Sequence, residues 1–148
     1  MKKILAVVIL FLSPLSLAND VDCLAKNIYW EARNQSINGM YAVAKVTLNR
    51  VSDSRWPSTV CAVVKQRKHR GGSWICQFSW YCDGKSDEPI EPCWEEIFTL
   101  AEIIIGWESI DFTDGSLWYH STKVSPEWAN HYAKTVQIDN HIFYKPLD

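Results

Sequence analysis

The sequence predicts an α+β domain, mainly helical, with a small antiparallel sheet late in the chain. Three observations carry this reading. Between residues 22 and 106 apolar residues recur at helical spacing in several stretches, and after residue 115 the pattern changes to the alternation typical of strands. About 130 residues follow an apparent leader, enough for one domain with a real core and too few for two ordinary ones.

Taken in order, Asp20 or Asp22 can cap a first helix over about 22–33, and Asn34 can end it because Asn tolerates the left-handed conformation. A second helix, from about Asn38 to Val51, carries Met40, Val43, Ala44, Thr47, Leu48 and Val51 on one broad face and closes near Asn49 and Arg50. Trp56-Pro57 opens a short third helix, with Pro57 at a first helical position and Val60, Val63 and Val64 facing inward. The stretch from Lys65 to Gly72 is basic and Gly-rich and predicts a loop, its charges either a solvated face or a contact for an anionic polymer. In residues 92–106 Trp94, Ile97, Phe98, Ala101, Ile104 and Ile105 follow helix spacing up to Gly106, which reads as core. Asp114-Gly115 marks a turn, SLWYHS alternates like a strand, and VQIDNHIFYK reads as a hairpin across Asp139-Asn140.

Residues 1–18 have the form of a secretory signal: Lys2 and Lys3, then the apolar ILAVVILFL, then Ser16-Leu17-Ala18 as a small-residue cleavage site. The apolar run is broken by Pro14 and falls short of the roughly 20 residues a membrane span needs, so no stable membrane anchor is expected after cleavage. Residues 19–148 would then form the working domain, exported to the periplasm or to the cell wall and extracellular space. Losing the leader removes two lysines and no acid, taking the formal charge from −2 to −4, and nothing points to a nucleic-acid partner. No linker, repeat or appended module is apparent. The domain must find its substrate with its own surface.

The five cysteines all lie in the exported part, where disulfides are expected, and an odd count leaves one over. Cys76 and Cys82 bracket the short QFSWY loop and can close it. Cys23 with Cys61 is one of the other pairings, since four paired cysteines allow three connectivities. Neither Cys-x-x-Cys nor His-Glu-x-x-His occurs, and His69, His120, His131 and His141 lack compact ligand spacing, so no metal or other cofactor is expected.

Glu31 is the most informative residue. With Leu24 and Ile28 it falls at i, i+4 and i+7, which places a carboxylate on the apolar stripe of the first helix. A carboxylate that loses hydration there should have a raised pKa and stay protonated toward neutral pH, as a general acid must. The alternative is a boundary glutamate that reaches water or pairs with Arg33. Eight tryptophans and six tyrosines are more than so short a chain places easily in a core. Exposed indoles suit the apolar faces of sugars, and Trp80, Trp118 and Trp128 are the candidates because each lies in or beside a predicted loop.

The chain resembles the SleB/CwlJ type of cell-wall hydrolase, the catalytic domain of spore cortex-lytic enzymes. The resemblance runs from Cys23 to Tyr144 and rests on LAKNIYWEAR, AVAKVTLNRV, WPSTVCAVV, CQFSWYCDG, LWYHS and NHIFY in that order. It implies a lysozyme-like or lytic-transglycosylase-like fold that cleaves peptidoglycan strands between N-acetylmuramic acid and N-acetylglucosamine, with Glu31 as the catalytic acid. In lytic transglycosylases one glutamate protonates the glycosidic oxygen and then serves as base for attack by the muramic 6-hydroxyl. An ordinary glycosidase needs a second carboxylate. Asp53, Asp83, Asp111 and Asp114 are the candidates for it, all in turn-like sequence where a structural role is the ordinary one.

By the same resemblance Asn49, Gln77, Phe78, Tyr119, His120 and His141 match positions expected to line the cleft, and Trp128 joins them as a substrate-binding aromatic. Structural roles compete: Asn49 as a helix cap, Phe78 as core, His141 as a satisfied hairpin histidine. Two departures from the family pattern stand out. Asn34 replaces a Gly after Glu-Ala-Arg, and Asp139 replaces a Gly before Asn-His, where its charge would bear on glycan preference. A hydrolytic muramidase, a non-catalytic peptidoglycan-binding module and a stem-peptide amidase using Cys76 with His120 are the competing readings. The sequence identifies no protein partner.

Overall fold

The structure, a computed structural model, describes residues 14–90, 92–107 and 110–147. The charged and apolar parts of the proposed leader, residues 2–12, lie outside them. Helix α1 spans Pro14–Ala32, α2 Ile37–Ser52, α3 Val60–Val64 and α4 Trp94–Gly106, followed by strands β3 Trp118–Ser121, β4 Ala133–Ile138 and β5 His141–Lys145. Between α3 and α4 lie β1 Arg67–Arg70, β2 Ser73–Cys76 and a 3₁₀ turn Ser79–Cys82. Among the described residues no helix is long and apolar enough to cross a membrane.

Helix α1 is the axis of the domain, because Leu24, Ala25, Ile28 and Ala32 recur at helical spacing and are all fully buried. It packs against α2, α3 and α4. The helix begins at Pro14 rather than near Asp22. Asp20 does not cap it: its carboxylate accepts from the backbone N–H of Cys61 at 3.0 Å, at the start of α3. A disulfide between Cys23 and Cys61 closes the same junction.

Helix α2 starts where Ser36 accepts from the N–H of Gly39. Its buried residues cover more than the single broad face predicted. Ala44 joins the core around α1 and α4, while Ala42, Val43 and Val46 join Phe143 of the sheet in a second cluster. The helix is therefore held between two layers, which is why its sequence is apolar over so wide an arc.

Three further expectations are corrected. The third helix starts at Val60, with Thr59 capping the N–H of Ala62, rather than at Pro57; Val60, Val63 and Val64 are buried as expected. The basic stretch after Lys65 is a β-hairpin, not a loop, with Arg67 opposite Cys76 and Arg70 opposite Ser73. Gly71 and Gly72 both have positive φ, the conformation a two-residue hairpin turn requires. Trp80, expected at the surface, is 8% exposed, and its indole N–H donates to Asn27 Oδ1.

The late sheet has the order β3-β5-β4, antiparallel throughout, with β5 central and accordingly the most buried strand. Asp139 turns the β4–β5 hairpin at positive φ, as Asp and Asn tolerate. Cys76 and Cys82 form the second disulfide and Cys93 is free.

Candidate active site

Glu31 reaches the last turn of α1 on the stripe of Leu24 and Ile28, half-buried. Strand β3 brings Tyr119 to it, and the phenol donates to Glu31 Oε2 at 3.0 Å. Arg33 is not its partner; that guanidinium donates to the carbonyl of Tyr29 and lies over the rings of Tyr29 and Trp30. Burial raises the pKa of Glu31, and the Tyr119 hydrogen bond and the Arg50 charge pull it partly back. The carboxyl thus holds its proton to a higher pH than an ordinary glutamate. Tyr119 is pushed well above its ordinary range by burial, then by the neighbouring Glu31 charge, and so remains a donor.

Arg50 is the residue missed in the sequence. It is 2% exposed, at the end of α2, where its Nε donates to the carbonyl of Leu117 at 2.8 Å. The guanidinium lies 4.4 Å from the ring centre of Trp56 and 5.4 Å from that of Phe78. Its Nη1 is buried with no hydrogen-bond partner among the described residues. Burial lowers its pKa to about 10, which leaves it cationic at neutral pH, and it places a positive charge near Glu31. Val43, Thr47 and Arg50 stand at i, i+4 and i+7, the spacing that marks Glu31 on α1. The same argument finds both.

His141, on β5, sits edge-on to Tyr119 at 5.2 Å between ring centres. It is 8% exposed with Nδ1 unpartnered among the described residues, and burial lowers its pKa. The structure therefore gathers Glu31, Tyr119 and His141, with Phe78 beneath Arg50 as a core residue 4% exposed.

The other expected residues lie elsewhere. Tyr119 and His120 are consecutive on β3 and leave it on opposite faces. His120 stacks on Tyr144, with Nε2 2.9 Å from the Tyr144 hydroxyl and Nδ1 2.9 Å from the carbonyl of Ser121. A carbonyl only accepts, so the proton sits on Nδ1. Trp128 contacts His120 and Tyr144 on that same far face. Asn49 donates its amide to Asp111 Oδ2 and to the carbonyl of Ser116, a tie between α2 and the turn before β3. Gln77 and Trp118 line a separate cavity.

The acidic alternatives have structural partners. Asp53 pairs with Arg55, Asp114 with Lys145, and Asp83 accepts from the N–H of Lys85. Asp111 organises its own turn through Thr113 and Gly115. Asp139, expected to bear on the glycan, instead accepts from the N–H and hydroxyl of Ser36 at the start of α2. Cys76 is held in a disulfide, which removes it as a nucleophile paired with His120. Among the described residues no group of three or more His, Cys, Asp or Glu side chains is arranged to hold a metal ion.

A helical domain that holds one desolvated carboxylic acid against a phenol and near a buried guanidinium has the parts of a general-acid site. The chain belongs to the Cell Wall Hydrolase family, whose model matches residues 34–144. Glu31 lies just before that matched segment. The chain is 30% identical over 128 residues to the spore cortex-lytic enzyme of Oceanobacillus iheyensis, covering 86% of this chain and 42% of that protein. The Bacillus subtilis spore cortex-lytic enzyme is 30% identical over 84% of this chain and 37% of its own length. The chain thus spans less than half the length of these curated relatives. The catalytic domain of Bacillus cereus SleB has a similar structure, with 28% identity, a TM-score of 0.63 and coverage of 86% of this chain and 90% of that one. The catalytic domain of the germination-specific lytic transglycosylase SleB from Bacillus anthracis gives 27% identity, a TM-score of 0.66 and coverage of 93% and 100%.

Proposed function

We propose that this domain cleaves the glycan strands of peptidoglycan as a lytic transglycosylase, with Glu31 as its single acid and base. The observation that carries the reading is a lone, half-buried carboxyl whose pKa is raised by burial, while Asp53, Asp83, Asp111 and Asp114 are engaged elsewhere. Protonated Glu31 gives its proton to the glycosidic oxygen as the bond from C1 of N-acetylmuramic acid to that oxygen breaks, releasing the leaving sugar as an alcohol. The Glu31 carboxylate, steadied by the Tyr119 hydroxyl and the Arg50 charge, then takes the proton of the muramic 6-hydroxyl as its oxygen bonds to C1. A 1,6-anhydro end forms, Glu31 is again protonated, and no water is consumed.

Export is part of the same reading. Both disulfides suit an oxidising compartment, and the signal-like leader supplies the route. Mass spectrometry of muropeptides released from purified sacculi tests the reaction: anhydro products lack the mass of one water relative to hydrolytic ones. Glu31→Gln should keep its fold and its binding to sacculi while release falls by about 10²-fold or more, a typical minimum for loss of a general acid. A folded Glu31→Gln protein with near-native release removes Glu31 from the mechanism. Reducing ends in place of anhydro ends would make the domain a hydrolytic muramidase.

A further inference from the structure

A cavity of about 540 Å³ lies beside the acid site, and the reaction does not use it. Its walls join the β1–β2 hairpin to the segment before α3 and to the outer face of the sheet. Trp56 connects the two sites, since its ring lines the cavity and also lies against Arg50, whose charge acts on Glu31. Trp118 contributes from the opposite side, stacked on Tyr132 with ring centres 3.9 Å apart.

The charge of this cavity is specific. Arg55 is neutralised by Asp53 through two hydrogen bonds of 2.6 and 2.8 Å. Arg67 and Lys68, exposed on β1, have no carboxylate partner among the described residues; Arg67 lies over the Trp74 ring at 4.4 Å, an arrangement that holds its guanidinium in place. Two uncompensated cations in a lining that also carries Trp56, Trp118 and Tyr132 suit a ligand with carboxylates on an otherwise apolar, amide-rich frame. The glycan backbone of peptidoglycan is neutral once the muramic lactyl group is amide-linked. Its peptide branches carry free carboxylates.

Resting on the function proposed above, we propose that this cavity is a subsite for the carboxylate-bearing peptide branch of peptidoglycan. Lys68 takes a carboxylate while Arg67, on the other face of β1, adds its charge at the rim; Trp56 and Trp118 cover the aliphatic parts, and Gln77 offers an amide to the peptide backbone. The glycan at Glu31 and the branch in the cavity would be read together, so peptide-bearing strands bind better than stripped ones.

The test is binding of a free stem tetrapeptide to the whole protein, followed by NMR of the tryptophan indole N–H resonances. Shifts are expected at Trp56 and Trp118. Amidation of the peptide carboxylates, or the double substitution Arg67→Ala/Lys68→Ala, should each weaken binding by at least about tenfold, the scale of a lost charge-assisted hydrogen bond. The charge-keeping Arg67→Lys/Lys68→Arg variant should retain it, which separates lost charge from a damaged hairpin. Shifts confined to other tryptophans, equal binding of the amidated peptide, or preferred binding of poly(glycerol phosphate) would each overturn the subsite. Cleavage of sacculi is scored separately. Peptide binding without cleavage would defeat the enzymatic reading and leave the subsite; cleavage without peptide binding would do the reverse.

Discussion

One hydrogen bond, from the Tyr119 hydroxyl to Glu31 Oε2, sets the acid's titration against the effect of burial. It stabilises the ionised carboxylate, so Tyr119→Phe should raise the pKa of Glu31 further. The proposed mechanism needs the protonated form at the start of the cycle, so the basic limb of the pH–rate profile should move to higher pH. A basic limb that stays put or moves down would show that the phenol does not tune the acid. Stability responds with its own sign. Because the folded state keeps the Glu31 proton above its ordinary value of 4.5, the unfolded chain ionises first, and the native protein loses stability as pH rises from there through the folded pKa. Glu31→Gln lacks that loss, so its stability advantage should widen with pH in denaturant titrations. The burial of Glu31 was legible because helical periodicity exposes a carboxylate on an apolar stripe. Arg50 went unread although it obeys the same spacing, because a cation near a helix C-terminus has an ordinary explanation in the helix dipole. The face that His120 and Trp128 occupy was hidden for a different reason: neighbouring strand residues point to opposite faces, and only the register with β5 tells which face meets the helices.

At the scale of elements, the β4–β5 turn and the start of α2 form one joint. Asp139 accepts from Ser36, Ser36 caps Gly39, and the N–H of Asn140 donates to Gln35 Oε1. The joint fixes β5, and with it His141, relative to α2 and Arg50. Gly39 is required there, because a Cβ at that position would stand 2.5 Å from Asp139 Oδ2 and 2.8 Å from Gln35 Cβ. Ser36→Ala should cost about 1 kcal/mol, the usual loss for a helix cap. Gly39→Ala should be more harmful than Ser36→Ala, since it displaces the aspartate as well as crowding Gln35; equal or smaller loss in urea unfolding would refute the joint. The long helices and the late hairpin could be read in the sequence because their periods are sustained. The β1–β2 hairpin could not: its strands are four residues each and almost wholly exposed, β1 being Arg-Lys-His-Arg, so no burial imposes alternation, and only Gly71-Gly72 signals the turn. The Asp139 contact was equally hidden, since its partner Ser36 is 103 residues away.

At the scale of the whole molecule the two disulfides have different tasks. Cys23–Cys61 links positions 38 apart and binds α1 to α3, with Cys23 buried in the main core. Loop-closure entropy assigns such a crosslink about 4 kcal/mol, against about 2 kcal/mol for Cys76–Cys82, which links positions only 6 apart. The smaller loop, however, carries Phe78 under Arg50 and Trp80 onto Asn27, and so supports the floor of the acid site. Removing the first crosslink with Cys23→Ala/Cys61→Ala should lower the melting temperature by roughly 10–15 °C, given the unfolding entropy of a chain this size. Glu31 lies two turns further along α1 and is also held by Tyr119, so the pH profile of the enzyme that remains folded should be unchanged. Cys76→Ala/Cys82→Ala should lower the melting temperature by about half as much, yet move the basic limb of the profile, because a looser Phe78 lets water reach Arg50 and weakens the burial that raises the pKa of Glu31. Restored hydration favours the carboxylate, so the limb should move to lower pH. Calorimetry and pH–rate measurements on the two variants decide the assignment. If the Cys23–Cys61 variant shifts the profile while the Cys76–Cys82 variant leaves it in place, the floor of the site is set by α1 rather than by the small loop.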